Sequence, residues 1–425
     1  MKVALVRGKF HSIWESLACG YLKSYTSDLV APEDYYFGDG YFDSDEEIIS
    51  KAAECDIVGF SGTSSQMRWN LEIANAIKAR SPDIRIYVGG YGPSVDPVGF
   101  LRKVDGVVSG EGETPWRDIL QSGGRETGLI MRPAIGILDS IPFPDRAFIK
   151  VERCIQVAKK EEGRRVTSIF GNRGCYRRCK FCADGTKLTI YGVKLRERSP
   201  KNIADEMEQV RDDWNIQFFK FCDPEVNTRL GRNEELCEEL INRKWDTPWG
   251  GNMIASPIRE REAKTLYEAG CREVWIGLES GNLQVHQHIG KGVSPGTIRE
   301  SFKTTKDAGL LRRAYVLMGT PLETLSTIKD TENLIDEVKP DTVSFSVLAP
   351  YPGTSYWREE FAYWDWSEID EYGGPTNTFH PDAMTKNELL RERLRLIEKY
   401  RGNLSRIVHK KIALGIIDTG EIQLE

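Results

Sequence analysis

Cys175, Cys179 and Cys182 lie in the run Gly174-Cys-Tyr-Arg-Arg-Cys-Lys-Phe-Cys182. Three thiolates at this spacing can each take one iron of a [4Fe–4S] cube and leave the fourth iron open to a ligand that is not protein. Chemistry at that open iron is what the spacing offers. A structural zinc site would need a fourth Cys or His nearby, and Cys19, Cys55, Cys154 and His11 are all poorly spaced for it. A disulfide needs an oxidising compartment, whereas the opening Met1-Lys-Val-Ala-Leu-Val6 reads as a buried strand rather than a signal peptide. The other thiols, Cys19, Cys55, Cys154, Cys222, Cys237 and Cys271, show no second cluster spacing and read mostly as small buried hydrophobes.

The elements that must carry the triad follow from apolar periodicity. A strand at 166–170 runs straight into the cysteine loop, and strands at 216–221, 274–278, 314–318 and 342–346 alternate with helices at 202–214, 233–243, 295–308 and 325–338. Repeated units of this kind close into a full or partial barrel whose chemistry sits on the loops at the strand carboxyl ends. Upstream, strands at 3–6, 57–60, 84–88 and 106–108 and a helix face at Leu71, Ile73, Ala74 and Ile77 read as a separate parallel sheet covered by helices. Its strand ends are small and glycine-rich: Ser61-Gly-Thr63, Gly89-Gly90 and Gly110-Glu-Gly-Glu113. Such sheets bind ligands at the carboxyl ends of their strands. Pro133, Pro142 and Pro144 break any regular element between the two patterns. Beyond Trp357, the aromatic stretch 361–366 gives way to a charged amphipathic helix at 386–400, read as a cap on the barrel mouth.

Composition sets the class. A hydrophobic fraction of 40% over 425 residues supports two or three domains with real cores. No apolar run approaches the ~20 residues of a membrane helix. The 58 basic and 64 acidic residues give a net charge of −6, with the basic ones scattered. A dedicated nucleic-acid surface needs a concentrated basic face, so none is expected. Free thiols and an oxygen-sensitive cluster suit a reducing cytoplasm.

Cys-x3-Cys-x2-Cys with an aromatic residue before the last Cys resembles the signature of the radical S-adenosylmethionine superfamily. The resemblance implies that the open iron chelates S-adenosylmethionine and that one electron cleaves it to a 5′-deoxyadenosyl radical. A low-potential donor such as flavodoxin or ferredoxin is then implied as a partner, and the barrel is the partial, six-strand version. Several strand ends match the family beyond the cysteines. Phe181 maps onto the aromatic neighbour of the adenine. Asp223, in Cys222-Asp-Pro-Glu225, maps onto the polar groups that hold the amino group of S-adenosylmethionine, with Glu225 either a second such group or a helix-starting residue. Glu279 and Ser280, in Gly277-Leu-Glu-Ser-Gly281, map onto the turn near the methionyl or ribose part of the ligand. Met318-Gly-Thr-Pro-Leu-Glu323 and Leu348-Ala-Pro-Tyr-Pro-Gly-Thr354 resemble the turns after the fifth and sixth strands. Cys222, beside Asp223, is a candidate hydrogen donor to a substrate radical.

The first ~125 residues, a plausible single domain by size, resemble the cobalamin-binding domain that precedes the barrel in one subgroup of this superfamily. There Ser61 and Thr63 would meet the nucleotide tail, and Gly89 and Gly90 would let the backbone approach it. The alternative is an ordinary flavodoxin-like domain with the same turns. The base-off Asp-x-His-x-x-Gly loop is reduced to His11, with Lys9 and Trp14 in place of the Asp and Gly. Without the Asp that orients it, cobalt ligation by His11 is weakened.

The expected architecture is therefore α/β. A doubly wound flavodoxin- or Rossmann-like parallel sheet occupies 1–125, a linker 126–165, a partial (β/α)6 barrel 166–357 and a helical cap 358–425. The expected activity is cobalamin-dependent radical methylation of an unactivated carbon in a small-molecule or peptide substrate. Two alternatives stand beside it: a dehydratase, epimerase or cyclase whose first domain no longer uses cobalamin, and a non-catalytic iron–sulfur module. Methylthiotransferase fits less well, because its extra N-terminal cysteine triad is missing.

Overall fold

The computed structural model describes residues 1–10, 14–184, 194–256, 258–358, 380–401 and 411. His11 and the aromatic stretch 361–366 lie outside the described residues. The chain divides into two compact units, with main bodies at 1–154 and 155–350.

The first unit is a parallel sheet of β1 (Val3–Arg7), β2 (Tyr35–Asp39), β3 (Ile57–Ser61), β4 (Arg85–Gly89), β5 (Gly106–Val108) and β6 (Gly128–Ile130). The order is β2-β1-β3-β4-β5-β6, the flavodoxin-like arrangement whose direction switches between β1 and β3. Helices α1 (Leu17–Tyr25), α2 (Asp45–Ala52), α3 (Met67–Arg80), α4 (Tyr91–Val95), α5 (Val98–Leu101) and α6 (Glu113–Gln121) connect them. Ile73, Ala74 and Ile77 of α3 are buried in one cluster with Ala4, Val6, Val58, Phe60, Ile86 and Val88 of the strands. Continuous apolar strands of this kind are what burial on both faces requires.

Two of these strands escape the apolar pattern. β2 reads Tyr-Tyr-Phe-Gly-Asp, and the three-residue β6 is too short to carry a period. β6 lies inside the stretch expected as a linker, which also contains α7 (Glu152–Glu162).

The second unit is built on β7 (Val166–Ile169), a small antiparallel pair β8 (Asn172–Arg173) and β9 (Arg196–Glu197), α8 (Pro200–Trp214), β10 (Phe218–Phe221), α9 (Arg232–Asn242), β11 (Trp249–Met253), α10 (Glu260–Glu268), β12 (Cys271–Glu279), α11 (Leu283–Ile289), α12 (Pro295–Asp307), β13 (Leu311–Met318), α13 (Leu325–Val338), β14 (Thr342–Val347) and α14 (Lys386–Arg401). Six parallel strands run in the order β14-β13-β12-β11-β10-β7, the expected half-barrel. β11, Trp-Gly-Gly-Asn-Met, is the strand its two glycines conceal in the sequence.

Helix starts follow local chemistry. The Ser199 and Ser294 hydroxyls accept from the Asn202 and Thr297 amides ahead of prolines at the first helical positions. Thr324 closes a reciprocal box with Thr327.

Alternation along these strands separates two faces. Ile169, Phe219, Phe221, Val274, Ile276 and Ala314 occupy the helix-covered face and are essentially inaccessible. The register places Ser168, Lys220, Asn252, Trp275, Arg313, Tyr315, Thr342 and Ser344 on the opposite, concave face. A polar concave face over an apolar convex one is the division a half-barrel with an interior ligand space needs.

Candidate active site

The cysteine loop leaves the carboxyl end of β7 and is fastened before the first thiol. Both oxygens of the fully buried Asp223 carboxylate accept from the Gly171 amide at 2.9 and 3.0 Å, and Oδ1 also accepts from the Asn172 amide at 2.7 Å. The Asn172 side chain in turn donates to the Glu225 carbonyl at 2.9 Å. Burial raises the Asp223 carboxyl to about 7, against the pull of the two amides and of Arg232 and Arg198. Its oxygens are thus committed to the backbone of the loop entrance, a different placement from the ligand-facing one expected from the sequence.

The carboxylate beside the thiols is Glu225. Cys175 Sγ donates to its Oε1 at 3.4 Å, and the Arg177 amide donates to Cys175 Sγ at 3.4 Å. Glu225 is 3% exposed, and burial raises its carboxyl. All three thiols are half-buried, and none takes part in a disulfide. Desolvation pushes Cys179 up to about 12 and Cys175 above the usual range, the latter helped by Glu225. Two bonds tie the loop to the turn after α11: the Lys180 amide donates to the Ile289 carbonyl at 2.9 Å, and Arg177 Nη1 to the Lys291 carbonyl at 2.7 Å. Phe181 stands half-buried between Lys180 and Cys182.

Lys291 completes the cluster of charges. Its ammonium pairs with Glu279 and donates to the Gly277 carbonyl at 3.2 Å. Glu279 takes a left-handed φ of 58° where the β12–β13 ladder shifts register, a costly backbone for a residue with a side chain and a frequent mark of functional sites. The fully buried Ser280 hydroxyl faces Thr331 Oγ1 at 3.2 Å and accepts from the Asn282 amide at 3.1 Å, so it holds the turn. Glu323 folds back to accept from the Gly319 amide, which makes that segment the structural turn expected.

Asp223→Asn keeps the volume but replaces one accepting oxygen by a donor at the Gly171 and Asn172 amides. Buried bonds to a charged acceptor are worth ~1.5–3 kcal/mol. Iron and sulfide per chain after anaerobic reconstitution should fall several-fold with all three thiols intact. Wild-type iron content would refute the fastening role.

In the first unit, the strand ends at the switch point gather three glycines. A Cβ on Gly8 would lie 2.6 Å from Asn70 Oδ1, one on Gly62 3.0 Å from Asn70 Nδ2, and one on Gly90, at φ 101°, 2.4 Å from the Gly62 carbonyl. Asn70, one turn into α3, is completely buried, and among the described residues both ends of its amide lack a partner, as does the buried Ser64 hydroxyl. Ser61 pairs with Gly89 across β3 and β4. Thr63 is taken up locally, its amide bonded to Gln66 Oε1 at 2.7 Å and its hydroxyl to Ser65 at 3.1 Å. The Ser94 hydroxyl donates to the Gly90 carbonyl at 2.6 Å and accepts from the Gly110 amide at 3.0 Å, joining the two glycine-rich turns.

Residues 169–335 match the family model described as the radical SAM superfamily, and residues 3–120 match the one described as the B12 binding domain. The chain thus carries a radical SAM domain and a B12 binding domain. An uncharacterized methyltransferase from Pyrococcus horikoshii is 26% identical over 339 residues, covering 75% of this chain and 72% of that protein. The anaerobic magnesium-protoporphyrin IX monomethyl ester cyclase of Rubrivivax gelatinosus is 25% identical over 413 residues, 91% of this chain and 73% of the cyclase. Among solved structures, the radical S-adenosylmethionine methyltransferase TsrM from Kitasatospora setae, with cobalamin and a [4Fe–4S] cluster bound, superposes with a TM-score of 0.67 at 18% identity. That match covers 84% of this chain and 77% of TsrM, a likeness of fold.

A radical SAM domain joined to a B12 binding domain implies a [4Fe–4S] cluster, S-adenosylmethionine and cobalamin as the bound groups. The residues present fit these groups. Among the described residues no three His, Cys, Asp or Glu converge as a single-metal site requires, whereas a cube takes each thiolate at a different iron. The orphaned Asn70 amide and Ser64 hydroxyl, beside glycines that leave no room for a Cβ, suit a large amide-bearing cofactor at the switch point.

Three participants were not singled out in the sequence. Asn70 sits on the apolar face of α3, three and four residues before Ile73 and Ala74, and a polar residue on a buried stripe is its signal. Lys291 is visible in Gly290-Lys-Gly292 but acquires a role only through its contact with Glu279. Arg177 lies inside the cysteine motif itself.

Proposed function

We propose that the protein is a cobalamin-dependent radical S-adenosylmethionine methyltransferase acting on an unactivated carbon of a small-molecule or peptide substrate. The observation that carries this reading is the pairing, in one chain, of the thiol loop beside Glu225 with a flavodoxin-like switch point that holds a buried amide at Asn70, unpartnered among the described residues. The names of relatives support it, among them the Pyrococcus methyltransferase, TsrM and a hopanoid C-3 methylase of Methylococcus capsulatus.

In this reading Cys175, Cys179 and Cys182 hold the cluster. Glu225 accepts from the amino group of S-adenosylmethionine in place of Asp223, which secures the loop. The Glu279–Lys291 pair offers a carboxylate to a ribose diol and an ammonium to a ligand carboxylate, and Phe181 lies along the adenine. Asn70, Ser61, Gly89 and Gly90 line the cobalamin site. The bound groups supply the radical and the transferable methyl. This chain's residues bind, orient and exclude water. The reading places the protein in a reducing cytoplasm, in keeping with nine cysteines outside any disulfide, and served by a flavodoxin- or ferredoxin-type donor.

The cyclase relative, which spans 91% of this chain, favours a second reading in which the same radical drives a non-methylating reaction. Anaerobic reconstitution with hydroxocobalamin, a low-potential reductant and candidate substrates separates the two. Stoichiometric cobalamin with both S-adenosylhomocysteine and 5′-deoxyadenosine is expected. Only 5′-deoxyadenosine, with no cobalamin retained, selects the second.

Asn70→Leu provides a further check. Removing a buried amide that has no partner among the described residues should leave the apoprotein as stable or more so, while cobalamin retention weakens about tenfold, the value of one or two lost hydrogen bonds. Unchanged retention, read from cobalamin absorbance after gel filtration, would remove Asn70 from the site.

A further inference from the structure

Glu279 is held in a strained turn. The Ser280 amide donates to the Leu278 carbonyl at 2.8 Å, which closes a γ-turn over Glu279, and a φ of 58° makes it the rare form of that turn. Backbone of this kind persists only where its surroundings over-determine it. Two fastenings come from α13. Thr331 Oγ1 accepts from the Gly281 amide at 2.9 Å, and Asp330 Oδ2 accepts from the Asn282 side chain at 2.8 Å. A Cβ at Gly281 would run into the Asp330 carbonyl, so the chain passes hard against that helix.

The third fastening comes from α11. His286 is 1% exposed, and its Nε2 lies 2.6 Å from the Ser280 carbonyl oxygen. A carbonyl can only accept, so Nε2 carries the proton and Nδ1 the lone pair. Nδ1 is buried and has no partner among the described residues. Burial holds the imidazole below its ordinary pKa, and the Lys291 ammonium adds to that, while the Ser280 and Leu278 carbonyls and Glu279 oppose it. The ring is therefore a neutral donor. An imidazolium here would compete with Lys291 for Glu279, whereas the neutral ring leaves that carboxylate to the ammonium and to a ligand.

We propose that His286 is a positioning residue for S-adenosylmethionine: through the Ser280 carbonyl it fixes the strained turn that sets the Glu279 carboxylate beside Lys291. The affinity of the site for its ligand then depends on a side chain that acts through the turn rather than on the ligand itself. This deepens the radical-enzyme reading above and rests on it.

Binding of S-adenosylmethionine to the full-length, cluster-loaded protein, measured anaerobically without reductant, needs no turnover. His286→Leu keeps the bulk and removes the donor, and should weaken binding about tenfold. His286→Gln, whose amide nitrogen can take the place of Nε2, should restore most of it. With reductant added, the Leu variant should show the same rise in KM for S-adenosylmethionine, with kcat for 5′-deoxyadenosine close to wild type. General loosening of the barrel would not give that split. Glu279→Gln closes a double-mutant cycle: once the carboxylate is gone, His286→Leu should cost little further affinity. His286→Met, a more adaptable apolar chain, takes the place of the Leu variant should that one fail to fold. Unchanged binding in the apolar variants, equal losses in Leu and Gln, a fall in kcat at constant KM, or additive losses in the cycle overturns the proposal and leaves the radical-enzyme reading standing. Failure of that reading looks different, because the wild type then binds no S-adenosylmethionine at all, and it removes this proposal as well.

Discussion

Replacing any one of Cys175, Cys179 and Cys182 by Ala abolishes reductive cleavage of S-adenosylmethionine and removes most of the iron. The reason is the sparseness of the donor set. Among the described residues no other group of His, Cys, Asp or Glu gathers to replace a lost thiolate, and the next thiol along the chain, Cys222, belongs to the end of β10 rather than the loop. A cube held by two thiolates exposes two irons to solvent and to oxidation. The variants should nonetheless fold. The loop entrance is held by Asp223, and its far side by the Lys180 amide and Arg177, none of which involves a thiol side chain. Far-UV circular dichroism close to wild type, with iron below a quarter of the wild-type content and no 5′-deoxyadenosine, is the expected pattern. Sustained cleavage in all three single variants would end the assignment of the triad as the cluster site.

The triad was legible because its chemistry is local. Three side chains within eight residues declare a cluster without any knowledge of the fold, and the apolar periods that place them after a strand are nearly as local. Partners brought together by topology were harder to read. Asp223 and Glu225 are two residues apart, and both look like ligand carboxylates in the sequence. Only the close approach of β10 to β7 decides that Asp223 spends its oxygens on the Gly171 and Asn172 amides while Glu225 turns to Cys175. Glu279 likewise reads as a lone acid until the turn after α11 returns Lys291 to it. In the first unit, β2 and β6 lack the apolar run that announces the other strands, because an aromatic, glycine-containing segment and a three-residue segment carry no period to detect. What the sequence leaves out is thus the set of contacts separated by tens to more than a hundred residues, together with the elements whose strand character comes from neighbours rather than from their own composition.

Glu273→Gln lowers the thermal midpoint of the barrel unit by roughly 6–20 °C, and the size of that drop follows from charge. Burial by itself would raise the Glu273 carboxyl, but Lys411, Arg164 and Arg313 override it and bring it down to about 2. Removing one partner of a buried ionic cluster costs about 3–5 kcal/mol, because the opposite charges stay behind uncompensated. A domain of this size shifts by about 2–4 °C per kcal/mol. The same reasoning fixes the pH dependence. A carboxyl whose folded value lies below its ordinary 4.5 contributes stability that is fully present above that value and is lost as pH falls toward about 2. Between those limits the wild type should lose stability that Glu273→Gln never had, so their unfolding midpoints converge on acidification. Parallel curves would show that Glu273 is not ionised in the folded protein. The variant also leaves Arg164, Arg313 and Lys411 with only Glu162, paired to Arg164 at 3.2 Å, to balance them, and a small anion can then take the place of the lost carboxylate. Added phosphate should raise the midpoint of Glu273→Gln more than that of the wild type, an effect that ordinary screening of surface charge would produce equally in both.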